Sequence, residues 1–199
     1  KGIKVNNILP MTYDFFGYKS KLHSHNIYEA REKLNSPSNF TSTSQDSIER
    51  RFTLASILKK SEPLFEILIF DYAAIAKSRG ISIQEAQVKI NYIEMNLKGT
   101  DIAINILDDL IQISVPLGDS ERQARQVFQR LLKYMKMITI ETGYVIYDPQ
   151  SDKIFDPLVV ESLSPKHYLR VSQQLAKTSF QSRKRKSFQW LLTLKRIIN

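Results

Sequence analysis

The chain contains no cysteine in its 199 residues. That absence excludes a disulfide framework, a thiolate metal site and catalysis by a cysteine nucleophile, and it fits a reducing compartment. Glycine is scarce as well, with six scattered residues, which leaves no glycine-rich loop to cradle a phosphate. No serine stands in a Gly-x-Ser-x-Gly nucleophile elbow. No apolar run approaches the ~20 residues that a bilayer span needs. The longest near the C-terminus is interrupted by Thr193, Lys195 and Arg196. Residues 1–10 lack the apolar stretch of a signal peptide, and Met11 reads as a natural start behind a leader or extension. The expected location is cytoplasmic, with a membrane-peripheral alternative.

The most informative absence is of acid. Residues 162–199 carry nine Lys or Arg and no Asp or Glu, whereas 1–161 hold the other 20 basic residues and all 20 acidic ones. The net charge of +9 therefore belongs to the last 38 positions, and the body before them is neutral. A strongly basic balance ordinarily points to nucleic acid; here it describes a tail. Hydrophobic residues at 42% and charged residues at 25% are ordinary for a globular domain. A body of about 150 residues buries roughly two thirds of its unfolded surface, so it needs no covalent staples.

Residues 11–18 (MTYDFFGY) are aromatic-rich and read as a first strand. A short helix is predicted over 26–34 with Asn26 as its cap, then a polar Ser/Thr/Asn-rich loop over 35–47. A helix over 47–60 follows, with Ile48, Phe52, Ala55 and Leu58 or Leu54 on its buried stripe. Residues 64–70 suit a strand or an extended connector. Asp71 caps a helix that Gly80 closes, and Ser82 with Glu85 forms a capping box for another. Residues 92–97 read as a strand. The alternation of 102–106 and 111–115 makes an antiparallel hairpin with Asp108-Asp109 at its turn. A long helix starts at Asp119 or Ser120, with Ala124, Val127, Phe128, Leu131, Leu132, Met135 and Ile138 facing the core, and Gly143 stops it. Residues 144–147 return as a strand, 148–151 turn, and 153–155 pair back. This order implies an α+β fold, a mainly antiparallel sheet with helices on one face. The organisation expected is a leader at 1–10, the α+β domain at 11–161 and a basic helical tail at 162–199.

Nine short motifs stand in order along the body: Met11 to Asp14, Glu49-Arg50-Arg51, Phe70-Asp71-Tyr72, Gly80-Ile81-Ser82, Glu85-Ala86, Tyr92-Ile93-Glu94, Asp108-Asp109, Val115-Pro116, and Gly143 to Gln150. In this order they resemble a family of uncharacterised bacterial stand-alone proteins with an N-terminal Met-x-Tyr-Asp strand and a closing Tyr-Asp-Pro-Gln motif. The resemblance spans about 11–157. It implies no activity, but it implies a place beside bacterial toxin systems and hence an immunity or partner-binding role. Members carry a further aromatic after the Val-Pro step, whereas this chain has Leu117-Gly118-Asp119.

Three groups of residues are candidates for chemistry. His23 and His25 alternate along an extended segment and point the same way, but lack a third ligand nearby, so they read as a polar loop. Asp108 and Asp109 form a carboxylate pair. At a hairpin tip such residues diverge into water and serve the turn, and Asp101 joins them only if the strand order permits. Tyr147, Asp148 and Gln150 either present a recognition surface from one rigid turn or serve it structurally, with Asp148 capping, Pro149 fixing φ and Tyr147 packing. Asn39-Phe40-Thr41 fits a glycosylation sequon, but without a secretion signal in view it is discounted.

In the tail, a helix over 167–179 carries Tyr168, Val171 or Ser172, and Leu175. The cluster Arg183, Lys184, Arg185 and Lys186 follows, with Phe188 and Trp190 close behind. Such a cluster neutralises phosphates, suits an anionic membrane surface, steers an acidic protein partner, or lies solvated beside a packed helix. The function expected is a non-enzymatic protein-binding module without a cofactor or metal, an immunity or accessory protein whose partner is a toxin. The alternative is nucleic-acid or anionic-membrane binding through the tail, which cutting after Pro165 would abolish.

Overall fold

In a computed structural model of the chain, residues 12–20, 26–35, 44–116, 121–159 and 168–170 are described. Among them, seven strands and five helices follow in the order β1 (Thr12–Tyr18), α1 (Ile27–Asn35), α2 (Gln45–Ser61), β2 (Phe65–Ile67), α3 (Tyr72–Arg79), α4 (Ile83–Lys89), β3 (Ile93–Leu97), β4 (Ala103–Ile106), β5 (Leu110–Pro116), α5 (Glu121–Thr142), β6 (Val145–Asp148) and β7 (Lys153–Phe155). One antiparallel sheet runs β2-β3-β4-β5-β1-β6-β7. The α+β expectation holds.

Local chemistry sets the helix ends. The side chains of Ser44, Asp71 and Ser82 accept from the backbone N–H three residues on, satisfying donors that the first turn leaves orphaned. Gly80 and Gly143 follow the last turns of α3 and α5 with φ of 65° and 70°, the left-handed conformation that glycine adopts without a Cβ clash. The first strand lies fifth in the sheet, between β5 and β6, so the centre closes only when residues some 100 positions apart pair, as in Tyr13 with Val115.

Alternation along the strands gives the sheet two unlike faces. One carries Phe15, Met95, Ile104, Ile113 and Ile146, which pack with Leu54 and Leu58 of α2 and Leu131, Met135 and Ile138 of α5. These two helices make the expected layer on one face, while α1 lies on the other. On the other face a smaller cluster of Phe16, Tyr18, Leu110 and Tyr147 packs against Ala30 of α1. The rest of that face is polar.

Two details depart from the sequence pattern. In α2 the buried residues are Ser47, Arg51, Leu54, Ala55 and Leu58, whereas Phe52 is 53% exposed. The buried face is the one that contains Arg51, and one residue further along turns Phe52 about 100° away from it. Beyond the body, Tyr168 is buried in the main core. Its ring lies 4.8 Å from Phe128 and 5.4 Å from Tyr13, centroid to centroid, and its hydroxyl donates to the Pro116 carbonyl. The basic segment thus contributes at least one aromatic to the domain.

Gly17 sits mid-strand with an ordinary extended backbone. A Cβ there would meet Ile146 Cδ1 at 3.4 Å, Ile111 Cβ at 3.6 Å and Ile138 Cγ2 at 3.7 Å, which is normal van der Waals contact. Gly17→Ala is therefore expected to stabilise the fold by about 0.4–1 kcal/mol, mainly by restricting the unfolded chain. Gly17→Leu overfills the same space and should cost about 1–3 kcal/mol. Urea midpoints of the two variants check both signs.

Candidate functional site

Among the described residues a cleft of about 260 Å³ opens at the end of the sheet, where the β4–β5 connection, the end of β1 and the start of β6 meet beneath α2. Its wall holds an ion pair between Arg51 of α2 and Asp108, with Nη1 2.5 Å from Oδ1 and side chains 4% and 6% exposed. The second guanidinium nitrogen of Arg51 donates to Asn91 Oδ1 at 2.9 Å. Tyr144 donates its hydroxyl to the Asp108 carbonyl at 3.0 Å. Lys19, Arg50, Asp109 and Glu141 complete the charged lining, over an apolar floor that includes Leu54, Ile106 and Ile111.

This arrangement corrects the expectation that both hairpin carboxylates point into water. The turn itself is as expected, closed by Leu107 N–H to the Leu110 carbonyl at 2.9 Å. But α2 folds over the tip and delivers a guanidinium there, so Asp108 turns inward. A carboxylate this buried needs hydrogen-bond donors or a counter-charge, and Arg51 supplies both. Asp101 does not join the cleft. It precedes β4, whereas Asp108 follows it, so the length of the strand separates them.

Burial pushes the Tyr144 hydroxyl up to about 12, with the charges of Asp109 and Asp108 acting in the same direction and Arg50 against them. That is movement away from neutral pH, opposite to what a general acid or base at this cleft would need. Tyr18 and Tyr134 are likewise raised to about 12, first by burial and then by the carboxylates of Glu29 and Glu62 respectively. Unfolded tyrosines ionise near 10, so between pH 10 and 12 the unfolded chain binds fewer protons than the folded one. The stability contributed by these three phenols is fully present below pH 10 and is lost as pH rises toward 12. In a phenolate absorbance titration the three should stay silent until the chain unfolds. Reversible ionisation of all nine tyrosines near pH 10 in the folded protein would contradict their burial.

The Tyr147–Gln150 turn faces inward more than outward. Asp148 is buried, accepts from the Tyr13 hydroxyl at 2.7 Å, and caps the turn by accepting from the backbone of Gln150 and Ser151 and from the Ser151 hydroxyl. Tyr13 is correspondingly raised, by burial first and by this bond second. Tyr147 is buried beneath α1 and donates to Asp152 Oδ1 at 2.8 Å, while Arg31 of α1 pairs with Asp152 Oδ2 at 2.7 Å. Asp152 is held below the usual carboxylate range by the Tyr147 bond and then by Arg31. Of the three residues expected to form a recognition surface, only Gln150 is exposed. The other two are turned in because the strand that carries them is covered on both faces, by α5 and α1.

Arg183, Lys184, Arg185, Lys186, Phe188 and Trp190 lie outside the described residues, as do 1–10, Met11, His23, His25, Asn39 and His167. Among the described residues no group of three metal-ligating side chains comes together, and no helix is long and apolar enough to cross a membrane. The residue that sequence reasoning missed is Arg51. Its signal was present: it stands three, four and seven positions before Leu54, Ala55 and Leu58, a charge on the core stripe of a helix.

Fold and site together define an α+β domain with a two-faced antiparallel sheet and a charged cleft at one sheet end. Comparison of the chain with family models, with curated proteins and with solved structures finds no match.

Proposed function

We propose that this chain is a non-enzymatic protein-binding module, an immunity or accessory protein of a bacterial toxin system, which receives its partner at the Arg51–Asp108 cleft. The observation that carries this reading is the form of the cleft: a buried, self-neutralised ion pair below a rim bearing charges of both signs. Its volume of about 260 Å³ falls below the ~300–1,000 Å³ usual for small-molecule sites. It suits one or two side chains of a protein. Lys19 and Arg50 beside Asp109 and Glu141 would fix the partner's register, since charge complementarity sets orientation and encounter rate more than raw affinity. The resemblance supports the same place, because two of its motifs, Glu49-Arg50-Arg51 and Asp108-Asp109, lie far apart in sequence and converge there.

The test is calorimetric titration with the toxin that this reading predicts to be encoded beside the chain's gene, together with rescue of growth on co-expression. Wild type should bind and protect. Arg50→Glu and Lys19→Glu, both on the rim, should each weaken binding about tenfold, equivalent to ~1.4 kcal/mol, without lowering stability. No binding by wild type, or unchanged affinity in the rim variants, would overturn the reading.

A further inference from the structure

The polar part of the second sheet face has an unusual hydrogen-bond balance. Register places two rows across five strands: Asp14, Ser114, Ala103, Asn96 and Glu66 in one, and Phe16, Gln112, Asn105 and Glu94 in the next, with Leu68 at its end. The side-chain donors of these rows point inward along the network. Ser114 Oγ donates to Asp14 Oδ1 at 2.6 Å, and Gln112 Nε2 donates to Asp14 Oδ1 at 3.4 Å and Ser114 Oγ at 3.3 Å. Asn105 Nδ2 donates to Gln112 Oε1 at 3.5 Å, and Asn96 Nδ2 to Glu94 Oε1 at 3.1 Å. What remains is acceptors. Among the described residues, Asn105 Oδ1 is buried and accepts no hydrogen bond. Among the same residues, the carboxylates of Asp14, Glu94 and Glu66 are matched by a single cation, Lys98, 3.4 Å from Glu66. Such a face calls for a ligand made of donors with positive charge.

We propose that this face is the docking surface for the chain's own basic C-terminal segment, with the Arg183–Lys186 cluster donating to the carboxylates of Glu94 and Asp14. Three observations favour the chain's own segment over a separate basic partner. Residues 171–199 hold seven Lys or Arg and no acid, the complement of the face. The chain departs from the described structure at Arg170, just after Tyr168 has bonded the Pro116 carbonyl. Pro116 pairs with Thr12, two residues along the strand from the Asp14–Ser114 pair, so the exit lies at the border of the face. Reach is ample: five strands span roughly 19 Å, against about 95 Å for 29 extended residues. Tethering supplies an effective concentration in the millimolar range, enough for contacts that are individually weak. Nucleic acids and anionic lipids carry phosphates, which the carboxylates of this face repel. They cannot replace the segment on the face, and would have to compete it off.

Trp190 is the chain's single tryptophan and reports on the segment directly. In the full-length protein at low salt its anisotropy should exceed that of the isolated 171–199 peptide, independently of dilution. Glu94→Gln with Asp14→Asn, and separately the fourfold reversal R183E/K184E/R185E/K186E, should each lower it to the peptide value, as should high salt. Combining the reversed segment with Glu94→Lys and Asp14→Lys should restore it. The reversal leaves the sheet untouched, so it decides the matter even if a sheet variant fails to fold. A wild-type anisotropy equal to that of the peptide overturns the proposal. So does a high anisotropy that ignores Asp14 and Glu94, or one that is lost on dilution as docking between two copies would be.

Discussion

Asp108→Ala should lower the unfolding free energy by about 3–5 kcal/mol, because it leaves the Arg51 guanidinium buried without its counter-charge. Both side chains are at most 6% exposed, so water cannot solvate the survivor without opening the α2–hairpin contact. Against the ~5–15 kcal/mol that holds a typical domain, this is among the costliest single changes available in the body. Urea unfolding should show a large fall in the midpoint with an unchanged slope. Replacing both partners by apolar residues, Arg51→Met with Asp108→Leu, should recover most of the loss, since the pair's attraction is largely offset by the cost of desolvating it. A loss below about 1 kcal/mol for Asp108→Ala would place the pair in the class of exposed ion pairs and would contradict its burial.

Tyr168→Ala should be nearly as damaging, at about 3–5 kcal/mol in line with other large aromatics removed from a core. The ring fills space between Tyr13 and Phe128, and its loss also strips the Pro116 carbonyl of a donor. This changes how the basic segment can be tested. A chain ending after Pro165 loses Tyr168 together with the charges, so lost binding there would mix unfolding with lost contacts. A chain ending after Arg170 keeps the aromatic plug and the partly buried Leu169, and should retain stability to within about 1 kcal/mol, the scale of exposed ion pairs. Thermal melts of the two truncations separate the cases. Equal stability would remove Tyr168 from the core.

Local chemistry written in adjacent residues determined a great deal by itself. Ser82 with Glu85, Asp71, Gly80 and Gly143 marked helix ends through orphan backbone groups, and these signals act within four residues. The alternation of 102–106 and 111–115 fixed a hairpin and its turn. The heptad-like spacing from Ala124 to Ile138 fixed the buried stripe of α5. The resulting α+β class followed from the order of these elements.

Tertiary structure decided what periodicity cannot encode. Asp108 reads as a solvated turn residue until α2 brings Arg51 to it, across 57 positions of chain. Phe52 reads as core until that same ion pair fixes which face of α2 is buried. Tyr147 and Asp148 read either as a surface motif or as a structural turn until β6 is found between α5 on one side and α1 on the other. Tyr168 reads as part of a charged tail until the space between Tyr13 and Phe128 claims its ring. In each case the sequence determined what the residue can bond with, and the packing of distant elements determined which partner was there. Burial is a property of what covers a side chain, and the covering segments here come from elsewhere in the chain.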